Sequence, residues 1–156
     1  MDGQVGLLAH DIGHLQVLRG RWKNIIGGLI FDNLLLGMSE EWWISKHNCH
    51  HGHPNHLDHD PDIDVPFIAF TEEPAFGKRG IPRFIVRHQR YFYLPVTALL
   101  GLSPRNLSIR FLLRKEASRP WLEVTFLAAH FRAVLRVAVY SAGRRAGCAL
   151  HRYPPR

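Results

Sequence analysis

Only two cysteines, Cys49 and Cys148, occur in the 156 residues. That is too few for a disulfide framework and fits a reducing compartment. No phosphate-binding loop, dinucleotide fingerprint or internal repeat is present, which sets aside the common nucleotide-binding and repeat classes. Strand signals are sparse and no period-2 alternation persists, so the fold is expected to be mainly α-helical. The opening MDGQVGLLAH has no basic n-region, so no signal peptide is expected.

Long hydrophobic runs are also missing. None reaches the roughly 18 to 20 uncharged residues that mark a transmembrane helix. Three segments come near. Ile25 to Met38 is interrupted by Asp32 and Asn33 and reads as an interfacial or buried helix. Tyr91 to Leu102 is short and contains Pro95. Trp121 to Ala142 is long enough but carries Glu123, Arg132 and Arg136, each costing about 2.5–3.5 kcal/mol at a bilayer centre. These segments read as re-entrant, interfacial or degraded spans.

Acidic residues are nearly absent from the second half. Residues 1–75 hold four Lys/Arg and eleven Asp/Glu, whereas residues 76–156 hold sixteen and two. The arginines lie between apolar segments without a nucleic-acid recognition motif. Positive charge beside a membrane on its cytoplasmic side accounts for the excess better. A Pro/Gly-rich stretch from Pro61 to Pro82 is expected to link an acidic, histidine-rich half to the basic, apolar half.

What the chain does have is histidine. Eight of its eleven sit in two places: His10 and His14, then His47, His50, His51, His53, His56 and His59. Imidazole is the commonest protein ligand for zinc, iron, copper or nickel. On a helix, residues three or four apart share a face, so His10 pairs with His14, and His47 with His50 and His51. The first helix is expected to run from Val5–Ala9 to near Gly20. The second is expected to start after Ser39 as N-cap, carry Glu40 and Glu41 in its first turn, and end at Gly52. Five imidazoles exceed what one tetrahedral zinc takes, which suggests more than one ion. The alternative for residues 47–59 is a low-complexity histidine tract, but Pro54, Asn55 and Asp60-Pro61-Asp62 read as an ordered loop.

These residues resemble a known family. His10-Asp11-Ile12-Gly13-His14 looks like the first histidine box of the integral-membrane fatty acid desaturases. Trp42-Trp43, Lys46-His47-Asn48-Cys49-His50-His51, Pro54-Asn55 and Asp60-Pro61-Asp62 resemble the second box and its trailing loop, and Arg87-His88-Gln89 also fits. The likeness is strongest to actinobacterial acyl-CoA desaturases related to linoleoyl-CoA and front-end desaturases. It implies a membrane-associated helical fold and a non-haem di-iron centre ligated by His10, His14, His47, His50 and His51. Asp11, Asp60, Asp62 and Asp64 are then candidates to orient the imidazoles, with capping and turn formation as their competing role. The implied reaction is O₂-dependent formation of a cis double bond in a fatty acyl chain. Electrons would come from NAD(P)H through a reductase and a ferredoxin- or cytochrome b5-like carrier, with the site facing the cytoplasm. Related histidine-box enzymes hydroxylate instead, and a soluble zinc- or nickel-binding protein is a further alternative.

The chain departs from that pattern in places. The family's third box, Q/H-x-x-H-H, is missing: after His59 only His88, His130 and His151 remain, none paired. Helices that normally precede the first box are missing too. Residues 1–142 are expected to form a partial desaturase domain, and 143–156 an unmatched basic tail of out-of-frame character. His53, His56 and His59 read as loop residues rather than ligands, His130 as a hydrogen-bonded core histidine, and Cys49 as facing away from the site. Sequencing the DNA beyond Arg156 and translating all three frames is expected to reveal a third box in a shifted frame. Finding none would overturn the frameshift.

Overall fold

The computed structural model describes residues 2–152, with side-chain surroundings for all of these except 2, 73, 74 and 146–152. Every regular element among them is helical, as the missing period-2 pattern requires. They are α1 (Asp2–Gly13), α2 (Arg21–Gly28), a π-helical segment (Leu29–Leu36), α3 (Glu40–Gly52), α4 (Glu72–Gly77), α5 (Gly80–Arg87), α6 (Gln89–Leu100), α7 (Ser103–Leu113) and α8 (Pro120–Arg152).

The chain folds as two units, one made of the residues up to Glu40 with those from Arg119 on, the other of Glu41–Ser118. The Pro61–Pro82 stretch is therefore not the divider that composition suggested. Instead α8 packs on the π segment, joining residues some ninety positions apart. The bond that fixes them is polar: Asn33 Nδ2 donates to Glu123 Oε2 at 2.6 Å.

In the first unit, Ala9, Ile12, Ile25, Leu29 and Leu127 form the apolar core. Helix α1 ends at Gly13, earlier than expected. Leu15 takes a left-handed φ of 59°, its N–H donates to Ile12 O at 2.9 Å, and the Gln16 N–H reaches Asp11 O at 3.0 Å. This is a Schellman closure, usually made by glycine; a leucine in that place gives no sequence signal. Asn24 then ties down the turn, donating to Leu18 O at 2.8 Å and Gly20 O at 2.9 Å.

The π segment brings polar groups inward. Asp32 and Asn33 are 1% and 0% exposed, so the polar pair inside Ile25–Met38 faces the interior, while Ile26 and Leu35 on the same segment are exposed. Asn33 accepts the Glu40 N–H at 3.1 Å while donating to Glu123, and Arg119 lies 3.3 Å from Glu40 Oε2. Gly37 closes the segment at φ 72°, where a Cβ would stand 2.4 Å from His130 Nε2. His130 Nδ1 donates to Leu34 O at 2.8 Å, so it is the hydrogen-bonded core histidine expected from its apolar neighbours.

In the second unit, Ile68, Val86 and Val96 are buried. Gln89 clamps the loop after α3: its Nε2 donates to Ala69 O at 3.2 Å and its Oε1 accepts the Ala69 N–H at 3.1 Å. Pro95 lies inside α6, where it removes one backbone hydrogen bond of the helix. Nearby, the Thr97 hydroxyl bonds back to Tyr93 O at 2.8 Å. No described helix is long and apolar enough to cross a membrane.

Burial has a measurable consequence at Asp32. Desolvation, with the negative charge of Glu123 adding to it, raises its pKa from 3.8 to about 7. The folded state therefore holds a proton that the unfolded chain releases, and stability falls as pH rises from about 4 to about 7. Above that, the ionised group costs on the order of 4 kcal/mol. Asp32→Asn should remove this slope and raise the denaturation midpoint at pH 8 relative to pH 4. Parallel pH–stability curves for the variant and the natural chain would contradict it.

Candidate metal centre

The box histidines divide between the two units, and each group has its own geometry. In the first unit, His10 stands on the last turn of α1 and His14 just beyond it, held by its N–H to His10 O at 3.1 Å. Their rings meet edge to face at 4.5 Å. His10 Nδ1 lies 3.1 Å from Asp11 Oδ1, the carboxylate next to it in sequence.

In the second unit, α3 carries His47, His50 and His51, and it starts and ends where the capping pattern placed it. The Nε2 atoms of His47 and His51 face each other at 3.0 Å. Two ligands bound at about 2.1 Å to one ion, at roughly right angles, sit about 3 Å apart. The same distance also fits a hydrogen bond between neutral rings, so it marks readiness for an ion. Trp43 stacks on His47 at 4.4 Å and fixes that ring's plane.

His50 turns to the loop. Its Nδ1 is 2.9 Å from both oxygens of Asp60 and 3.4 Å from Asp62 Oδ2. A carboxylate accepts, so Nδ1 is the donating nitrogen, and it is the neutral ring in this orientation that would offer the Nε2 lone pair to a metal. Asp60 is buried, 1% exposed, and also accepts the Asn55 N–H at 2.7 Å and the Asp62 N–H at 2.8 Å. Burial pushes its carboxyl up. The hydrogen bonds from His50 and Asn55, with the charges of His50 and Lys46, outweigh burial and leave it below its ordinary value. Asp60 is thus ionised above the usual carboxylate range, and its stabilisation is lost as pH falls below that range.

Asp62 pairs with Lys46, whose own pKa burial lowers while Asp60 partly offsets that. Asp64 is exposed and lines a shallow cavity with Trp42, Lys46 and Pro61. Of the four aspartates singled out in the sequence, Asp60 and Asp62 reach His50, Asp11 reaches His10, and no contact from Asp64 to an imidazole is present among the described interactions. Cys49 is a free thiol that donates to His59 O at 3.1 Å, away from the imidazoles of α3.

Next to the shallow cavity, and sharing Leu100, Ser103 and Leu107 with it as lining, a cavity of about 610 Å³ opens among Phe67, Ile85, Val96 and Leu99, with Ser103, Asn106 and Arg110 as its polar wall. Its size falls within the roughly 300–1,000 Å³ of small-molecule sites. Sequence spacing gave no sign of it, because its walls come from α5, α6 and α7 and the loop before them.

These features define a helical protein with imidazole clusters of the kind that hold a borderline metal. The chain belongs to the fatty acid desaturase family, whose sequence pattern it matches over residues 2–151. It is similar to a Delta(8)-fatty-acid desaturase of Euglena gracilis, 40% identical over 99 residues, 62% of this chain and 23% of that protein. A Delta(8)-fatty-acid desaturase of Helianthus annuus is 31% identical over 124 residues, 72% of this chain and 27% of that protein. An Acyl-lipid 8-desaturase of Rebecca salina is 36% identical over 114 residues, 68% and 26%. The chain thus spans about a quarter of the length of these relatives. No solved structure matches it.

Because Asp60 anchors three separate donors, Asp60→Ala should loosen the loop around it. Each lost bond to the charged acceptor is worth about 1.5 kcal/mol, so amide hydrogen exchange at Asn55 and Asp62 should speed up about tenfold. Unchanged protection at both amides would show that the loop is held by something else.

Proposed function

We propose that this chain carries part of the metal-binding core of a fatty acid desaturase acting on a fatty acyl chain, as a CoA ester or bound in lipid. His10, His14, His47, His50 and His51 would hold a non-haem di-iron centre. Asp11, Asp60 and Asp62 would fix ring orientation, with Asp64 at the periphery. The observation that carries the reading is the donor set on α3: two facing Nε2 atoms 3.0 Å apart, beside a third imidazole oriented by Asp60 through Nδ1. Those donors fit iron, which when bound supplies O₂ activation and removal of hydrogen from an unactivated methylene.

This chain's own residues prepare that chemistry. Neutral imidazoles add no negative charge to the ions, so the centre stays electron-poor. Asp60 keeps the proton of His50 on Nδ1 and leaves Nε2 for the ion. The apolar cavity offers a place for an acyl chain, and fixing such a chain near the reacting centre is where much of the rate would come from. The balance is four electrons to reduce O₂ to two waters, two from the substrate C–H bonds and two from an NAD(P)H-linked ferredoxin- or cytochrome b5-like carrier.

A membrane setting suits the surface. On α8, Leu135, Val137, Val139 and Tyr140 are all more than 60% exposed, apolar surface of the kind that an interface with lipid or protein would cover. The sixteen Lys/Arg of residues 76–156 suit an anionic, cytoplasmic leaflet, and nucleic acid is not part of this reading. Without the paired histidines of a third box, the five ligands are an incomplete set by the family pattern, so this chain alone should be inactive.

The test is iron content of the purified chain, loaded anaerobically with ferrous iron. His47→Ala, His51→Ala and His50→Ala should each lower bound iron at least tenfold, the order expected when one ligand of a metal site is lost. Equal iron loading in all three variants would defeat the reading.

A further inference from the structure

We propose that the cavity lined by α5, α6 and α7 holds the acyl chain of a phospholipid rather than of a CoA ester, with Arg110 binding the phosphodiester of the head group. The inference rests on the reading of that cavity as the place of the acyl chain, and goes beyond it by naming what the chain is attached to.

One helix supplies the polar wall. Ser103, Asn106 and Arg110 follow one another at spacings of three and four on α7, so they share a face, and all three line the cavity. None of their side chains makes a hydrogen bond or ion pair among the described interactions. The cations nearest to Arg110 in sequence are engaged elsewhere: Arg105 donates to Gly101 O at 3.3 Å, and Arg114 lies 3.8 Å from Glu116 Oε1. Arg110 is the one charged group among the described residues of the lining.

The charge of that wall selects the head group. No Asp or Glu is among the described lining residues, and none occurs from residue 74 to residue 115, so no acidic side chain of this stretch competes for the guanidinium. Its planar fork offers paired donors to two oxygens of one phosphate, with the Ser103 hydroxyl and the Asn106 amide as neutral donors on the same face. A single guanidinium balances the single negative charge of a phosphodiester. A CoA ester carries a diphosphate and a further phosphate, and one cation leaves most of that charge unmatched.

The apolar side selects the source. Ile81, Leu99 and Leu102 line the cavity and are between 58% and 73% exposed, whereas Val96, also in the lining, is buried. Apolar side chains thus run from the surface to the interior, and an acyl chain that enters along them stays on apolar surface, as delivery from a lipid layer requires. The neighbouring cavity, which shares Leu100, Ser103 and Leu107, is also lined by Trp42 and Lys46 of α3, the helix that carries His47, His50 and His51. The stripe on α7 therefore borders both the apolar cavity and a space that the histidine-bearing helix reaches.

The experiment is equilibrium dialysis of the purified full chain, without iron, against a radiolabelled lysophosphatidylglycerol kept below its micelle-forming concentration. A monoacylglycerol and a CoA ester with the same acyl chain are the comparisons. The lysolipid should bind, and Arg110→Gln should weaken it about tenfold, as loss of a charge-assisted bond implies. Arg110→Lys should restore part of that loss. The monoacylglycerol, which has no phosphate, should bind the natural chain and Arg110→Gln equally. Leu99→Trp, at an exposed lining position, should weaken both ligands by filling the cavity, with helical circular dichroism unchanged. Because no iron is present, the outcome is separate from iron loading at His47, His50 and His51. Equal lysolipid binding by the natural chain and Arg110→Gln, no effect of Leu99→Trp, no lysolipid binding at all, or a CoA ester bound more tightly than the lysolipid would each overturn the proposal.

Discussion

The carboxylate of Asp60 is the interaction on which the histidine-bearing helix and its loop depend. It lies buried in a chain that has few buried charges, and burial by itself would favour the neutral acid. Three donors reverse that preference: the His50 ring, the Asn55 N–H and the Asp62 N–H. A charge-assisted bond is roughly twice as strong as a neutral one, so each of these contacts holds because Asp60 is ionised. The consequence reaches in two directions. It sets which nitrogen of His50 donates, and it sets the path of the loop that carries His53, His56 and His59.

The first unit uses the same physics away from its histidines. Asn33 is fully buried between Glu123 and the first N–H of α3, so the π segment and α8 are joined by polar bonds inside an otherwise apolar contact. Such a network is costly unless satisfied, and one atom of it, Asp32 Oδ1, has no hydrogen-bond partner in its surroundings. The raised pKa of Asp32 answers that strain, since a neutral carboxyl tolerates an apolar setting that a carboxylate does not. Asp32 and Asp60 are both aspartates with almost no exposure, and their carboxyl pKa values move in opposite directions, Asp60 having three donors and Asp32 an oxygen with none.

How much of this was legible in the sequence follows from the range of each interaction. Helix α3 could be read residue by residue, because Ser39, Glu40 and the glycine at position 52 are local signals. The helical, strand-free character could be read from the missing alternation. The end of α1 could not, because Leu15 takes the left-handed position that a glycine would have advertised. The division into units was hidden for a different reason: it depends on Asn33 meeting Glu123, a pairing that no local pattern announces. Within the site, Asp60, Asp62 and Asp64 looked alike in sequence. Only the fold of the loop separates a buried acceptor from an ion-pair partner of Lys46 and from an exposed bystander.

The loop histidines follow the box histidines directly in sequence, yet the backbone that carries them is different. Residues 53–56 form a turn with Pro54 second and Asn55 third at a left-handed φ of 63°, the pattern of a type II turn, and a separate turn follows over 56–59. The two clusters then differ in what surrounds them. The helix presents rings braced by Trp43 and by a buried carboxylate. The loop presents rings in water with only backbone turns to bring them together. A braced, partly enclosed set of imidazoles suits a redox ion whose reactivity must be controlled, and the exposed rings of the loop have no such bracing.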